Sequence, residues 1–311
     1  MLQFLKNLDR RWIFLLMGLV VLIPILAQAR FSEKPTPLAE AVFNEIDNLP
    51  DGSRILLSFD YDPASEGELG PMATAFVRHC SEKHHKMYFM ALWPLGPQMI
   101  DDVIKKVIVD EYNTRPGIKG TDKELVYGKD YVNLGFKSGG EGVIKVIVTN
   151  MRQLYTTDDT GKAIDTIPMM KGITNIRQMD LLANVSAGSA GTKEWVQYAV
   201  TPFPDDIRMV AGCTGVQAPL LYPYIPEQLP GLLGAIKGAA EYEALVNGKY
   251  NPPEPPKGTP EHDEWVNRYY GRYTEGIRRM SPQLFGHLLI IFLIIVANVI
   301  YFAERAKERS Q

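Results

Sequence analysis

The chain has 311 residues and a formal net charge of −3, and 22% of the residues are charged. This length suits one large or two small domains, and the composition is ordinary for a globular protein. The charge balance argues against a nucleic-acid-binding protein, and two cysteines in so long a chain exclude a disulfide scaffold. We expect Cys80 and Cys213 to be separate buried thiols; the alternative is a single bridge in an oxidising compartment.

The N-terminus carries Arg10 and Arg11 directly before an apolar run, Trp12–Leu26. Two interpretations of this pattern are open: an uncleaved signal anchor, or a signal peptide that is cleaved after Ala29. We favour the anchor, because the run is longer than the apolar region of a usual signal peptide. Pro24 does not argue against an anchor, since proline is tolerated in membrane helices.

From Arg54 onward, short apolar runs alternate with amphipathic stretches. The apolar runs predict five strands: Ile55–Phe59, Met87–Trp93, Tyr131–Phe136, Leu181–Ser186 and Ile207–Ala211. The stretches between and around them predict helices within Phe31–Pro50 and over Leu69–His84, Pro97–Tyr112, Gly142–Leu154, Thr192–Val200 and Leu229–Asn247. Such alternation implies right-handed crossovers and parallel strands, and strands without a polar face are typical of sheets covered on both sides. We therefore predict an α/β fold with a Rossmann-like, doubly wound, mostly parallel sheet flanked by helices.

After this region the composition changes to a proline-rich spacer, Asn251–Pro256, and then to a short helix capped by Thr259. The aromatic residues that follow suit either the membrane interface or packing on the domain: Trp265, Tyr269, Tyr270 and Tyr273. Ser281-Pro282 is predicted to start the next helix, which contains Phe285–Ala303, a run without any charged residue. As a helix this run is ~28 Å long, close to the ~30 Å hydrocarbon core of a bilayer, so we predict a transmembrane helix.

The chain is thus predicted to have five segments: a signal anchor (1–29), an extracytoplasmic α/β domain (30–248), a spacer with a juxtamembrane helix (249–283), a transmembrane helix (284–303) and a basic tail (304–311). The tail carries Arg305, Lys307 and Arg309. Because basic flanks stay inside, we expect an integral protein of the cytoplasmic membrane with both termini in the cytoplasm.

Four loops follow predicted strands, where open parallel sheets bind ligands. The first holds Asp60 and Asp62, which project to one side and are a candidate site for Mg²⁺ or Ca²⁺, although we predict no cofactor. An apolar strand that ends in Asp-x-Asp resembles the first motif of haloacid-dehalogenase-type phosphatases. That resemblance implies that Asp60 is the nucleophile and Asp62 the acid/base, but the chain lacks the matching lysine motif and late acidic pair. The alternative is that Asp62, Ser65 and Glu66 cap the following helix, and Ser65 and Glu66 are also ligand-binding candidates.

Two glycine-rich loops, 137–142 and 186–192, lie between a predicted strand and a predicted helix. Both are candidate anion-binding loops, although neither matches a P-loop or a dinucleotide fingerprint, and glycines at tight turns are the simpler explanation. Their candidate ligand-binding residues are Ser138, Gly139, Gly140, Gly188 and Ser189. Ser186 is in addition a candidate catalytic residue.

The fourth loop contributes Cys213 and Thr214 as ligand-binding candidates. A catalytic Cys213 needs a histidine close by, but the pair His84-His85 is predicted to lie on a solvated helix end, away from the strand ends. The segment after this loop, Leu220–Pro230, is apolar and aromatic. It is either a contact surface for a partner or a cover over the sheet edge.

These features favour a non-enzymatic, membrane-anchored binding or assembly protein, which pairs with itself or with another membrane protein. A hydrolase, with a phosphatase-like metal site as one form, is the first alternative, with a site built from Asp60, Asp62, Ser138 and Ser186. A sensor of small anionic ligands is the second. The lipid bilayer is an expected partner, and nucleic acid is not.

Overall fold

The computed structural model describes residues 9–27 and 33–309, which fall into two compact units. One unit spans Glu33–Gly276, and the other combines the N-terminal residues with Ile277 onward. The strands are β1 (Arg54–Asp60), β2 (Lys86–Ala91), β3 (Tyr131–Phe136), β4 (Leu181–Ser186), β5 (Met209–Cys213) and β6 (Leu232–Gly234). The helices are α1 (Arg10–Leu26), α2 (Pro37–Asp47), α3 (Glu66–Glu82), α4 (Gly96–Val103), α5 (Glu141–Asn150), α6 (Thr192–Trp195), α7 (Ala218–Leu221), α8 (Ala235–Tyr250), α9 (Pro260–Trp265) and α10 (Glu275–Arg309). Three helices continue as π-helical turns: α4 through Ile104–Val109, α6 through Val196–Val200 and α9 through Val266–Tyr270.

All strand pairs of the sheet are parallel, and the strand order is β3-β2-β1-β4-β5-β6. This is the order that doubly wound nucleotide-binding sheets share, and its direction of winding reverses between β1 and β4. Helices α2, α3, α4 and α8 cover one face, whereas α5 and α6 cover the other. The structure therefore confirms the predicted α/β fold with a mostly parallel sheet flanked by helices.

The sixth strand is a correction, because the sequence predicted that a helix begins at Leu229. Instead, Leu232–Gly234 pairs with β5 as β6, and α8 begins only at Ala235. Gly231 allows this arrangement: a Cβ there would lie 2.4 Å from the carbonyl oxygen of Leu38 in α2. A strand of three residues is too short to show a period in the sequence, so only its bracketing glycines mark it.

Among the described residues, one helix is long and apolar enough to cross a membrane, namely the Glu275–Ala303 part of α10. α1 has 17 residues, and the cleavage site considered at Ala29 lies outside the described residues. The prediction that Ser281-Pro282 starts the last helix is wrong, since α10 begins at Glu275 and contains Pro282. The earlier start has a local cause: the N–H of Gly276 in the first turn donates to Glu243 at 3.0 Å, which supplies one of the acceptors that a helix N-terminus lacks.

Tyr273, just before α10, packs on the domain, which answers the question left open for this aromatic residue. It is 2% exposed, and the guanidinium carbon of Arg78 lies 3.9 Å from its ring centre. Its hydroxyl donates to Glu111, which also accepts from Arg115 at 2.7 Å. Arg115 in turn pairs with Glu82 of α3 at 2.7 Å. These five side chains form a buried ionic and aromatic cluster that attaches the segment before α10 to α3.

His79 of α3 is buried between α2 and α8 and stacks on Phe43 with ring centres 4.6 Å apart. Its Nδ1 accepts from the hydroxyl of Tyr242 at 2.7 Å, and its Nε2 faces Asp47 at 3.3 Å. Burial lowers the pKa of His79 to about 3, against the effect of Asp47, which favours the charged form. His85 is also fully buried, so its predicted solvated position is wrong, and burial lowers its pKa as well.

We predict that His79 makes the domain sensitive to acid. In the unfolded chain a histidine takes up a proton near pH 6.5, whereas folded His79 stays neutral until about pH 3, so acid favours unfolding between these values. From pH 7 to pH 5 this single group lowers the free energy of unfolding by about 2 kcal/mol.

The measurement is urea unfolding of the full chain in detergent micelles, followed by tryptophan fluorescence at both pH values. His79→Gln is the matched variant, because every other titrating group remains and cancels in the comparison. The variant is expected to lose less stability than the wild type on acidification, by about 2 kcal/mol. Equal losses in the two proteins would contradict the prediction.

Candidate functional site

Two neighbouring strands carry polar side chains at the point where the sheet reverses its winding. The parallel register sets Ser58 of β1 beside Asn184 of β4, and Asp60 beside Ser186. Alternate residues of a strand point to the same face, so the two side chains of each strand lie on one side of the sheet. All four residues are at most 1% exposed. They form a polar layer inside the protein, directly below the carboxyl edge.

The Asp60 carboxylate is the centre of this layer. Its Oδ1 accepts from the N–H of Leu92, after β2, at 2.7 Å and from the Ser58 hydroxyl at 3.0 Å. Its Oδ2 accepts from Asn184 at 2.7 Å, from Trp195 Nε1 at 3.0 Å and from Ser58 at 2.9 Å. One side chain therefore joins β1, β4, α6 and the residue that follows β2.

The electrostatics of Asp60 reflect two opposed effects. Burial raises its pKa to about 6, and the hydrogen bonds from Leu92, Trp195, Ser58 and Asn184 act in the other direction. The donors around the carboxylate are N–H and O–H groups, which suit an anion. A Mg²⁺ or Ca²⁺ ion needs further oxygen ligands instead, so the surroundings of Asp60 do not fit the metal site considered from the sequence. In the described parts of the chain, no three His, Cys, Asp or Glu side chains are placed to share a metal ion.

Ser186 belongs to the same buried layer. Its Oγ accepts from the N–H of Thr192 at 3.1 Å and lies 2.8 Å from the Thr192 hydroxyl, which donates to Asn184 at 2.6 Å. The loop after β4 folds tightly over this group. A Cβ at Gly191 would lie 2.2 Å from the carbonyl oxygen of Gly188 and 2.7 Å from Cβ of Ser186, so the turn requires glycine. Ser186 is thus covered by its own loop, not presented at the surface.

Asp62 has different partners from Asp60. It is half-buried, and its Oδ1 accepts from the N–H of Ser65 at 3.2 Å, just before α3. Glu66 lies in the first turn of the same helix, where the dipole favours an acidic group. This arrangement matches the capping interpretation in part, because the side chain of Ser65, at the N-cap, makes no capping hydrogen bond. The structure does not join the two aspartates in one constellation.

The chain's own carboxylates bind the backbone of two candidate ligand loops. Glu194 accepts from the N–H of Gly191 at 2.8 Å and from the Ser189 hydroxyl at 2.9 Å. Glu68 accepts from the N–H of Gly215, after β5, at 2.9 Å. An anionic ligand in either loop would compete with a carboxylate that is already part of the protein.

The other glycine-rich loop is more open. Ser138 and Gly139 are exposed, and Gly139 and Gly140 have φ values of +136° and +53°, which side chains rarely allow. A Cβ at Gly140 would lie 3.6 Å from Cβ of Ala190, and one at Gly188 would lie 3.5 Å from Trp93. The loops after β3 and β4 therefore lie side by side, but Glu141 stands in the first turn of α5 and disfavours an anion there.

Cys213 ends β5 beside Ser186 in the strand register and is fully buried. Burial, with a smaller effect of Glu68, raises the pKa of this thiol to about 12, which leaves it protonated near neutral pH. Cys80 is also buried, and neither cysteine is bridged. Thr214 is 7% exposed, and its N–H points to the carbonyl oxygen of Ser186 at 3.4 Å.

The structure thus brings Asp60, Ser186 and Cys213 to adjacent strand ends, and it leaves Asp62 and Ser138 outside the buried layer. The sequence interpretation missed several members of the network: Ser58, Asn184, Thr192, Trp195, Glu68 and Glu194. One signal in the sequence could have indicated this network: Ser58 and Asn184 are single polar residues within otherwise apolar strand interiors.

Apolar side chains are exposed where the polar ones are hidden. Val216, Leu220 and Tyr222, between β5 and β6, are 79%, 55% and 55% exposed, and we call them the β5-end surface. Leu221 and Leu229 of the same segment are buried at 1% and 0%, so the segment both covers the sheet edge and presents an apolar surface. A small concavity lies elsewhere, between α3, α8 and the segment before α10, and is lined by Thr74, Ala75, Arg78, Glu243, Val246 and Tyr273.

The fold and this edge define the chain as an α/β domain joined to a helix that is long and apolar enough to span a membrane. No protein-family model matches the chain, and no match was found among curated proteins or solved structures.

We predict that Asp60 is essential for stability. In Asp60→Asn, an amide N–H₂ group replaces one carboxylate oxygen, and the donors that bonded to that oxygen lose their acceptor. We expect the free energy of unfolding to fall by about 3 kcal/mol or more. Asp62→Asn is the matched control two residues away. It weakens one half-buried hydrogen bond in the turn before α3 and should cost about 1 kcal/mol or less.

Urea unfolding of both full-length variants at pH 7 gives the comparison. Similar free energies of unfolding for Asp60→Asn and the wild type would show that the hydrogen bonds to Asp60 do not support the fold.

Proposed function

We propose that the protein is a membrane-anchored binding or assembly protein, whose Rossmann-like domain contacts a partner through the β5-end surface. One observation carries the proposal. At the carboxyl edge, where such folds bind ligands, the polar candidate residues Asp60 and Ser186 are buried and hydrogen-bonded internally, while Val216, Leu220 and Tyr222 face outward. An edge of this kind favours apolar contact with another protein over chemistry on a small substrate.

The membrane part of the proposal is supported by α10, whose apolar part is long enough to cross a bilayer. α1 is the proposed second anchor, since it is apolar along its length and starts with Arg10 and Arg11. Basic residues also follow the apolar part of α10 at Arg305 and Arg309. With basic flanks inside, both termini lie in the cytoplasm and the domain lies outside the cytoplasmic membrane.

Deletion of either apolar segment tests this arrangement. The full chain and a chain without residues 285–303 should both remain in membranes after washing with alkaline carbonate, because α1 anchors the shortened chain. A chain that lacks residues 1–29 as well should be released.

Release of the chain that lacks only residues 285–303 would overturn the N-terminal anchor in favour of a cleaved signal peptide. Release of the full chain would overturn the membrane proposal as a whole.

The β5-end surface suits a protein partner because of its size and chemistry. Burial of one large apolar side chain contributes about 1.5–3 kcal/mol, so three of them supply a binding core for a moderate interaction. Their neighbours Pro219 and Pro223 are also exposed and stiffen the segment, which limits the entropy lost on binding.

We predict that Leu220→Asp abolishes contact at this surface. A photo-reactive amino acid at position 216 of the full chain, in its native membrane, should form a cross-linked adduct of defined mass. Leu220→Asp in the same chain should reduce the adduct at least about tenfold, as expected for loss of more than 1.4 kcal/mol.

Val126→Asp is the matched control, because Val126 is similarly exposed at 48% but lies before β3. It should leave the adduct unchanged. Equal loss in the two variants, or no adduct from position 216, would contradict a contact at the β5-end surface.

The two alternatives have their own discriminating observations. A phosphatase-like hydrolase needs a metal-dependent activity that Asp62→Asn removes without loss of the fold. A sensor of small anions needs binding of inorganic phosphate that depends on Ser138 and Gly139, the exposed loop residues whose backbone is not held by Glu68 or Glu194.

A further inference from the structure

The apolar part of α10 has two different faces. Its buried and half-buried residues recur every three or four positions: Phe285, Gly286, Leu289, Leu293, Val296, Ile300 and Ala303. A Cβ at Gly286 would lie 3.8 Å from Cγ2 of Val21 in α1, so the two helices approach closely there. α1 has its own less exposed stripe, with Ile13, Met17, Val20, Val21 and Pro24. α1 therefore accounts for one face of α10.

The opposite face has no cover within the described residues. It consists of exposed residues that recur with the same spacing: His287, Ile291, Ile294, Asn298 and Tyr301. His287 and Asn298 are separated by about three full turns and so lie almost in line along the helix. We call this set the Asn298 stripe.

Asn298 is the unusual member of this stripe. It lies about 20 Å along the helix axis from Phe285, within a run of ~28 Å, and so at hydrocarbon depth in a spanning helix. Its Nδ2 donates to the carbonyl oxygen of Ile294 at 2.9 Å, which is a bond within its own helix. In the part of the chain that the structure describes, its Oδ1 accepts no hydrogen bond. A polar group in hydrocarbon without a partner costs several kcal/mol, as a general estimate for buried amides.

We propose that the Asn298 stripe binds the same stripe of a second copy of this chain, with the two Asn298 amides hydrogen-bonded to one another. This inference rests on the proposed membrane anchoring. Copies of one chain insert with the same orientation, so their α10 helices are parallel and equal positions face each other across a twofold axis. An amide is both donor and acceptor, and two facing amides satisfy each other.

A second copy fits better than another membrane helix for a geometric reason. Any other helix needs a polar group at the same depth and a face of matching shape. A second copy has both, because it carries the same Asn298 on the same face of its α10. Ile291 and Ile294 provide branched side chains on the N-terminal side of the amide, and Tyr301 extends the contact on the other side. A single polar residue in an apolar helix seam fixes the register of the pair.

Cysteine cross-linking of the full chain in native membranes tests the geometry. Ile294→Cys lies on the stripe, and Val296→Cys, at nearly the same depth, lies on the face that α1 covers. Cys80 and Cys213 are buried, so the wild type reports the background. Mild oxidation should cross-link Ile294→Cys into a dimer of the chain and leave Val296→Cys monomeric.

The role of the amide is tested by substitution. Asn298→Leu should weaken dimerisation about three- to thirtyfold, the range that interhelical polar bonds contribute in membranes. Asn298→Gln keeps an amide and should largely preserve dimerisation. Val299→Leu, a substitution outside the stripe, is the control and should leave dimerisation unchanged. Energy transfer between labelled chains on dilution in phosphatidylcholine vesicles measures these affinities.

The outcomes separate this inference from the proposed function. A chain that resists carbonate washing but shows no cross-link at position 294, or equal cross-links at 294 and 296, overturns the dimer alone. An adduct with a different protein at position 294 overturns the second copy as occupant. A chain that carbonate removes from the membrane overturns the anchoring itself.

Discussion

The Asp60 carboxylate is the interaction on which the carboxyl edge of the sheet depends. A buried anion without hydrogen bonds costs several kcal/mol, and here N–H and O–H donors from β1, β4, α6 and the end of β2 surround it. Each donor is fixed in place because it must reach this one side chain. The register of β1 and β4, the start of the loop after β2 and the rotation of α6 are thereby coupled. The aspartate that the sequence marks as a catalytic candidate is therefore a structural centre of the fold.

Internal hydrogen bonding also explains why the exposed surface at the carboxyl edge is apolar. Glu194 and Glu68 accept hydrogen bonds from backbone N–H groups of the loops after β4 and β5. The N–H of Thr192 donates to the hydroxyl oxygen of Ser186. Polar atoms that pair internally have little to offer a ligand, because a ligand has to replace hydrogen bonds of similar strength. The exposed apolar side chains of the β5-end surface have no such competition. The proposed binding through that surface would gain the free energy of apolar burial without breaking the network below it.

Sequence reasoning recovered the class of fold but only part of the site. Strands β3 and β4 were predicted to the residue, because both are apolar runs with clear ends. β6 was missed, since three residues carry no period. At the site, the sequence placed Asp60 and Ser186 at the ends of predicted strands. Which strands are neighbours, and where each side chain points, depend on the register and on partners distant in the chain. Asn184 lies beside Ser58 in the register and donates a hydrogen bond to Asp60, and no residue near Asp60 in the sequence indicates this contact.

The polar residues Asp60 and Asn298 are opposite cases of one constraint. Asp60 lies in a domain that folds around it, and the donors to its carboxylate come from within that domain. Asn298 lies on a single helix, where the backbone already uses its own hydrogen bonds and offers the amide only the carbonyl oxygen of Ile294. Helix α1 cannot help, because it covers the other face of α10. In the proposed membrane-spanning arrangement no water compensates, so the remaining donor and acceptor would require a partner from outside the chain. Identical chains meet that requirement symmetrically, which makes self-association the simplest arrangement that satisfies both faces of α10.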